Sequence, residues 1–352
     1  MTTHSWPEVL SVLLAGEDLT RELARWSLRE IMSGEATEAQ IGAFMMALRA
    51  KGETVAELAG LVDVMLDNAV LLDTGSDAVD IVGTGGDLVG TVNISSMASV
   101  VTAAAGVPVL KHGSRSASGK TGSSEMLEVL GIRLDLAPAQ VAEVFREVGI
   151  TFFFAPVFHP AMRYVAPVRK QLGVPTTFNF LGPLANPAQP IATALGVSNA
   201  TIAPLMAQEL ALRGRSGLVF RSADGLDEIS VTASTTIWQV SQGEVSEHEV
   251  SRFVDPIIKI EQLLGGDAKH NAEVALNLFD GETQGNYSAI KQVVLLNAAA
   301  GIASYELAKT PQLANVNLAD RLEAGFEKAR AALEGGLAHS KVTEWSHATQ
   351  TK

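Results

Sequence analysis

Over the first seventy positions apolar residues recur at every third or fourth place and never alternate, which predicts helices and no strand. Four such stretches cover residues 8–14, 19–32, 38–50 and 55–68, separated by Gly16-Glu17-Asp18, Ser33-Gly34-Glu35 and Lys51-Gly52-Glu53. Thr37 and Thr54 stand where N-caps belong. The Ile41, Phe44, Met45 and Leu48 stripe reads as core or subunit interface. From Ala78 the pattern changes to short β-branched runs alternating with helical segments. Runs 79–82, 107–110, 151–154, 176–180, 192–195 and 218–221 predict strands, and their alternation with helices predicts βαβ units in a largely parallel sheet. Residues 228–250, with a Gln242-Gly243 turn, predict short antiparallel strands. The tail from Asp267 predicts helices, with an end beyond about residue 335 that frays.

Composition bounds what such a chain can do. With 352 residues, 47% apolar and 18% charged, it has room for two domains and a large core. A net charge of −13 argues against a generic nucleic-acid or anionic-membrane surface. The absence of cysteine removes disulfides and thiolate metal sites. No uncharged apolar run reaches membrane-spanning length and no basic-then-apolar leader opens the chain, so the expectation is a soluble, cytoplasmic protein.

Two segments carry candidate chemistry. In the first, the run 79–82 enters a loop with Gly83, Gly85, Gly86 and Gly90, and a helix opens near Asn93, Ser95 and Ser96. Glycines admit a ligand close to the backbone, and a helix N-terminus presents unpaired N–H groups at a positive dipole end. The pair forms an anion cradle, suited to phosphate or pyrophosphate. It is neither a Walker loop nor a G-x-G-x-x-G fingerprint, and an ordinary glycine turn remains open. The second segment, after the run 107–110, combines glycines and hydroxyls with Lys111, His112, Arg115 and Lys120, the cations a dense phosphate charge needs. Both loops would lie at the carboxyl ends of parallel strands, where α/β sheets bind ligands. His112 and His159 fit packed imidazoles as readily as ligand contacts. Adjacent Asp227 and Glu228 could aim two hard oxygens at Mg²⁺ or stand solvated in a turn, and Arg169 could grip a carboxylate bidentately or lie on an exposed helix face.

The two loops, with Phe154-Ala155-Pro156, the run from His159-Pro160 to Pro167-Val168-Arg169, Phe178-Asn179, Leu181-Gly182-Pro183-Leu184, Asn186-Pro187, Gly225-Leu226-Asp227-Glu228, Gly265-Gly266, Asn271-Ala272 and Leu296-Asn297-Ala298-Ala299, resemble the anthranilate phosphoribosyltransferase family from about residue 20 to about 335. That resemblance implies an α/β protein of the nucleoside phosphorylase/phosphoribosyltransferase type. A small all-α N-terminal domain (1–74, joined by one or two helices from about 160–190) would adjoin a larger α/β domain (75–352) with a mostly parallel central sheet. It implies Mg²⁺-dependent transfer of 5-phosphoribosyl from phosphoribosyl pyrophosphate to the amine of anthranilate in tryptophan biosynthesis, by a homodimer joined through the helical part. Carried onto this sequence, it assigns Gly83, Gly86, Asp87, Thr91, Asn93, Ser95, Ser96, Lys111, His112, Gly113, Ser114, Arg115, Ser118, Gly119 and Ser123 to phosphoribosyl pyrophosphate. It assigns Gly83, Ser114 and Arg169 to anthranilate, and Ser95, Asp227 and Glu228 to the metal.

The chain departs from the family at Ser114, where Asn is usual; serine is shorter and lacks the amide. Transfer to another aromatic amine is therefore an alternative. A pyrimidine nucleoside phosphorylase would not need the Asp227-Glu228 pair, and a non-catalytic nucleic-acid-binding homologue should be basic, whereas this chain is acidic. No nucleophile–base pair stands out, and no general base is assigned.

Overall fold

The computed structural model describes residues 4–72, 74–115 and 121–352. Helices α1 (Trp6–Leu14), α2 (Arg21–Ser33), α3 (Glu38–Lys51) and α4 (Val55–Asp67) form a bundle. Thr37 and Thr54 cap α3 and α4 as expected, each hydroxyl accepting from the backbone N–H three residues on at 3.3 Å. Helix α1 starts two residues earlier than its periodicity indicates, because Ser5 caps it and Pro7 suits its first turn.

Then come β1 (Val79–Gly83), α5 (Ile94–Ala104), β2 (Val109–Gly113), α6 (Ser123–Val129), α7 (Pro138–Val148) and β3 (Ile150–Phe154). A short helix α8 (Ala155–Phe158) and a 3₁₀ turn (Pro160–Tyr164) lead to α9 (Ala166–Leu172) and α10 (Phe178–Leu184), which pack back onto α3 and α4. Next are β4 (Ala192–Gly196), α11 (Ala203–Leu212), β5 (Ser216–Ser222), and the hairpin β6 (Thr235–Ser241) and β7 (Glu244–Val250). Helices α12 (Ala268–Phe279), α13 (Tyr287–Lys309), α14 (Leu318–Glu334) and α15 (Leu337–Gln350) complete the chain. Among the described residues seven strands run in the order β3-β2-β1-β4-β5-β6-β7, the first five parallel and the last two antiparallel. Strand order reverses between β1 and β4, the position where such sheets open a ligand crevice.

Alternate strand residues face two cores. Ile81, Leu218, Phe220 and Ile237 meet α5 and α13, while Val82, Val219, Trp238 and Val240 join the bundle's apolar residues with those of α10 and α11. The bundle core is thus continuous with one face of the sheet. None of the described helices is long and apolar enough to cross a membrane.

Four expectations are corrected. Segment 176–180, expected as a strand, turns into α10: Thr177 is helical at φ −50° and ψ −31°, its hydroxyl donates to Glu53 Oε1 at 2.6 Å, and Asn179 Oδ1 takes the Thr176 N–H at 3.0 Å. These side-chain bonds and burial of Phe178 and Phe180 in the bundle core override the β-branched, aromatic propensity. Residues 228–232 form no strand; the hairpin begins at Thr235, with the expected turn at Gln242 (φ 53°) and Gly243 (φ 82°). Strand β2 lies later than expected, so Lys111 and His112 are buried strand residues and not loop residues. The tail does not fray: Ala338, Val342 and Trp345 recur at helical spacing and bury α15 against α5 and α7.

Candidate active site

Three strands end in glycine at the same edge: Gly83 pairs with Gly196, and Gly113 closes β2. A Cβ on Gly196 would lie 1.7 Å from the carbonyl oxygen of Asp227, and one on Gly83 would lie 2.3 Å from its Oδ2. The bare strand ends therefore let the Asp227-Glu228 segment lie directly over β1 and β4.

Gly85 (φ 64°) and Gly86 (φ 82°) turn the loop after β1 through left-handed conformations. A second segment clamps that loop, through Val92 N–H to Leu263 O at 2.9 Å and Gly265 N–H to Gly90 O at 2.9 Å. Asn93 does not cap α5; its Oδ1 accepts from Asn271 Nδ2 at 2.8 Å. The Asp227 carboxylate accepts from Gly85 N–H at 2.6 Å, and Glu228 Oε1 accepts from Ser95 N–H at 3.1 Å, so the acidic pair sits against the glycine loop and the helix N-terminus.

These elements enclose a cavity of about 900 Å³. Gly83, Gly86, Asp87, Thr91, Asn93, Ser95, Lys111, His112, Gly113, Ser114, Arg115, Ser123, Arg169, Asp227 and Glu228 all line it. Ser96 does not; one step round α5 from Ser95, it is buried. Ser118, Gly119 and Lys120 lie outside the described residues. The cavity also takes in residues not assigned from sequence, among them His159, Met162, Phe178, Gly265, Gly266 and Asn271. The Gly265-Gly266 pair before Asp267, the cap of α12, was the available signal: another glycine turn ahead of a helix.

Charge is crowded here. Burial, then the charge of Asp87, pushes the Asp227 carboxyl up to about 6, and burial with Asp227 alongside pushes Glu228 well above the carboxylate range. Burial also raises Asp87. Lys111 is fully buried and donates to Ile81 O at 2.5 Å; burial lowers it, while Asp80, Glu228 and Asp227 counter that. Carboxylates gathered this way favour a cation. Asp227 and Glu228 each spend one described bond on a backbone N–H, and no three His, Asp or Glu among the described residues cluster closely enough to hold a metal alone. Such a donor set suits a hard divalent ion that takes its remaining oxygens from water and a phosphate ligand.

The cations differ in availability. Arg115 pairs with Glu128 at 3.0 Å and lies over the Phe154 ring, and Arg163 lies over the Tyr164 ring. Arg169, partly buried on α9, has no ion pair or side-chain hydrogen bond among the described residues. A guanidinium held toward a cavity without a carboxylate is prepared for an anionic ligand.

His112 donates from Nδ1 to Gly182 O at 3.0 Å, which sets its neutral tautomer, and its ring centroid lies 5.1 Å from that of His159. Burial, then His159, holds His112 at about 3, and burial holds His159 at about 4. The unfolded chain protonates His112 near pH 6.5 and the folded protein does not until about pH 3, so this stability is complete above pH 6.5 and is lost on acidification. Relative to His112→Gln, the wild type should lose about 2 kcal/mol between pH 7 and pH 5 in denaturant titrations. Parallel pH profiles would contradict a neutral buried imidazole.

The fold defines a class of glycosyltransferases: residues 7–69 match the glycosyl transferase family's helical bundle domain and residues 75–339 its α/β domain. Within that class the chain belongs to the anthranilate phosphoribosyltransferase family. It is 51% identical to the anthranilate phosphoribosyltransferase of Leifsonia xyli subsp. xyli, across 99% of both chains. The crystal structure of the Thermus thermophilus enzyme superposes with a TM-score of 0.86 at 35% identity, covering 97% of this chain and 99% of that one. The Saccharomyces cerevisiae enzyme, in complex with PRPP and Mg, shares the fold with a TM-score of 0.86 at 24% identity, covering 99% and 98%.

Proposed function

We propose that the cavity binds phosphoribosyl pyrophosphate with Mg²⁺ and transfers the 5-phosphoribosyl group to the amine of anthranilate, releasing pyrophosphate, as a step of tryptophan biosynthesis. The observation that carries this reading is the Asp227-Glu228 pair laid across Gly83 and Gly196, against the N-terminus of α5. Bound there, Mg²⁺ would supply positive charge to the leaving pyrophosphate. The chain's own groups do the rest. Backbone N–H groups of the glycine loop and of the first turn of α5, other than those of Gly85 and Ser95 that the carboxylates take, bind phosphate oxygens. Lys111 and the hydroxyls of Thr91, Ser95 and Ser123 add donors around the donor substrate. Arg169 holds the anthranilate carboxylate bidentately and so orients the amine toward the ribose carbon. Charge stabilisation and positioning suffice, because the displacement needs no covalent intermediate. The same reading takes residues 1–74 and 75–352 as the two domains, with a homodimer through the bundle and a cytoplasmic setting.

Incubating the protein with phosphoribosyl pyrophosphate, Mg²⁺ and anthranilate should abolish anthranilate fluorescence, and omitting either of the first two should preserve it. Fluorescence that persists while another aromatic amine is consumed would overturn the acceptor assignment, a result that Ser114 would rationalise. Arg169→Lys keeps the charge and loses the fork. It should raise the KM for anthranilate by about ten- to a hundredfold and leave that for phosphoribosyl pyrophosphate near its wild-type value. Equal rises in both constants would remove Arg169 from the acceptor side.

A further inference from the structure

The Asp227-Glu228 segment lies between β5 and β6 and belongs to no strand, so its backbone lacks a ladder to hold it. One buried side chain supplies the missing partner. The Ile229 N–H donates to Asn297 Oδ1 at 2.9 Å, and Asn297 Nδ2 donates to the Ile229 carbonyl at 3.0 Å, the two bonds a neighbouring strand would make. The second hydrogen on Nδ2 goes to Val293 O at 2.9 Å within α13, which fixes the amide's orientation. A flipped amide would set its oxygen against two carbonyls.

Asn297 is fully buried, as are its chain neighbours Leu295, Leu296, Ala298 and Ala299. An amide in such a core is costly unless every polar atom is met, and an apolar residue there would strand both polar groups of the Ile229 peptide. Helix α13 also packs along α5, with Thr102 Oγ1 donating to Ala298 O at 3.3 Å. The helix that grips Ile229 therefore also supports the helix whose Ser95 N–H meets Glu228.

We propose that Asn297 is a positioning residue: its amide substitutes for a β-strand partner and sets the height of Asp227 and Glu228 above the strand ends, and thereby the enzyme's affinity for Mg²⁺. This rests on the reading of Asp227 and Glu228 as the magnesium carboxylates. Removing an outer support of a metal ligand typically weakens metal affinity by about ten- to a hundredfold. In Asn297→Ala the Mg²⁺ concentration for half-maximal rate should rise by at least about tenfold, with kcat reduced, KM for anthranilate within about twofold of wild type, and melting still cooperative. Should Asn297→Ala fail to fold, Asn297→Asp carries the same comparison, since it keeps the shape and the acceptor oxygen while its carboxylate opposes Ile229 O. Amide exchange on the unmodified protein is the second readout: the Ile229 N–H should be as protected as the interior of α13.

An unchanged Mg²⁺ requirement in a folded variant, a proportionate shift of every kinetic constant, or rapid exchange at Ile229 would overturn the proposal. The combined variant Asp227→Asn, Glu228→Gln separates the two readings. If its Mg²⁺ titration moves and those of the Asn297 variants do not, only the positioning role falls; if its own titration is unmoved, the metal reading falls first.

Discussion

Replacing Asp227 with Asn and Glu228 with Gln together is expected to lower turnover by about a thousandfold and to flatten the Mg²⁺ dependence of what remains. Both replacements keep an oxygen to accept from Gly85 and Ser95 N–H, so the local bonds survive while the charge does not. Stability should move the other way. Burial raises both carboxyls, so in the folded protein without ligand their ionised forms are disfavoured relative to the unfolded chain at neutral pH. For each raised carboxyl the stability present below its unfolded value is lost as pH rises through its folded value, about 6 for Asp227. The neutral variant should therefore melt at least as high as the wild type at pH 7 while being almost inactive, the signature of a site strained for function. Unchanged Mg²⁺ titration curves would refute the metal assignment, and a lower melting temperature would refute the account of its cost.

Gly196→Ala is expected to damage both activity and stability, although Gly196 lies in a strand and carries no functional group. Its new methyl would overlap the Asp227 carbonyl, which is backbone and has no rotamer by which to yield. Either β4 or the 227–228 segment must shift by more than an ångström, and displacement on that scale costs about a hundredfold in rate. Overpacking should lower unfolding free energy by about 1–3 kcal/mol in denaturant titration. A fully active Gly196→Ala would mean that close passage over the strand end is not needed.

What the sequence made legible follows from where the information is local. The glycine loop after β1, the threonine caps of α3 and α4, and the Gln242-Gly243 hairpin turn each depend on a few contiguous residues whose backbone demands are specific. Segment 176–180 has a composition that suits a strand, and only the distant Glu53 and the bundle core make it helical. Likewise the burial of Lys111 and His112 depends on where β2 pairs with β3, a register that periodicity cannot supply. The order of the tail is hidden in the sequence because α15 has a sparse apolar stripe that gains meaning only against α5 and α7. Most of the expected site residues reach the cavity because glycine loops and strand ends are local features. Asn297 lies 68 positions from Ile229, so its role is invisible in the sequence: only the folded chain brings that peptide to it.

On the proposed reading, two glycine-bearing loops and an acidic pair form one site for a diphosphate and its cation. Titration calorimetry of phosphoribosyl pyrophosphate into the wild-type protein, with and without Mg²⁺, shows whether that site exists. Binding should require Mg²⁺, weaken sharply when Asp227 and Glu228 are both neutralised, and be unaffected by Arg169→Lys. No binding heat in the presence of Mg²⁺, or the same affinity with Mg²⁺ removed, would contradict the account.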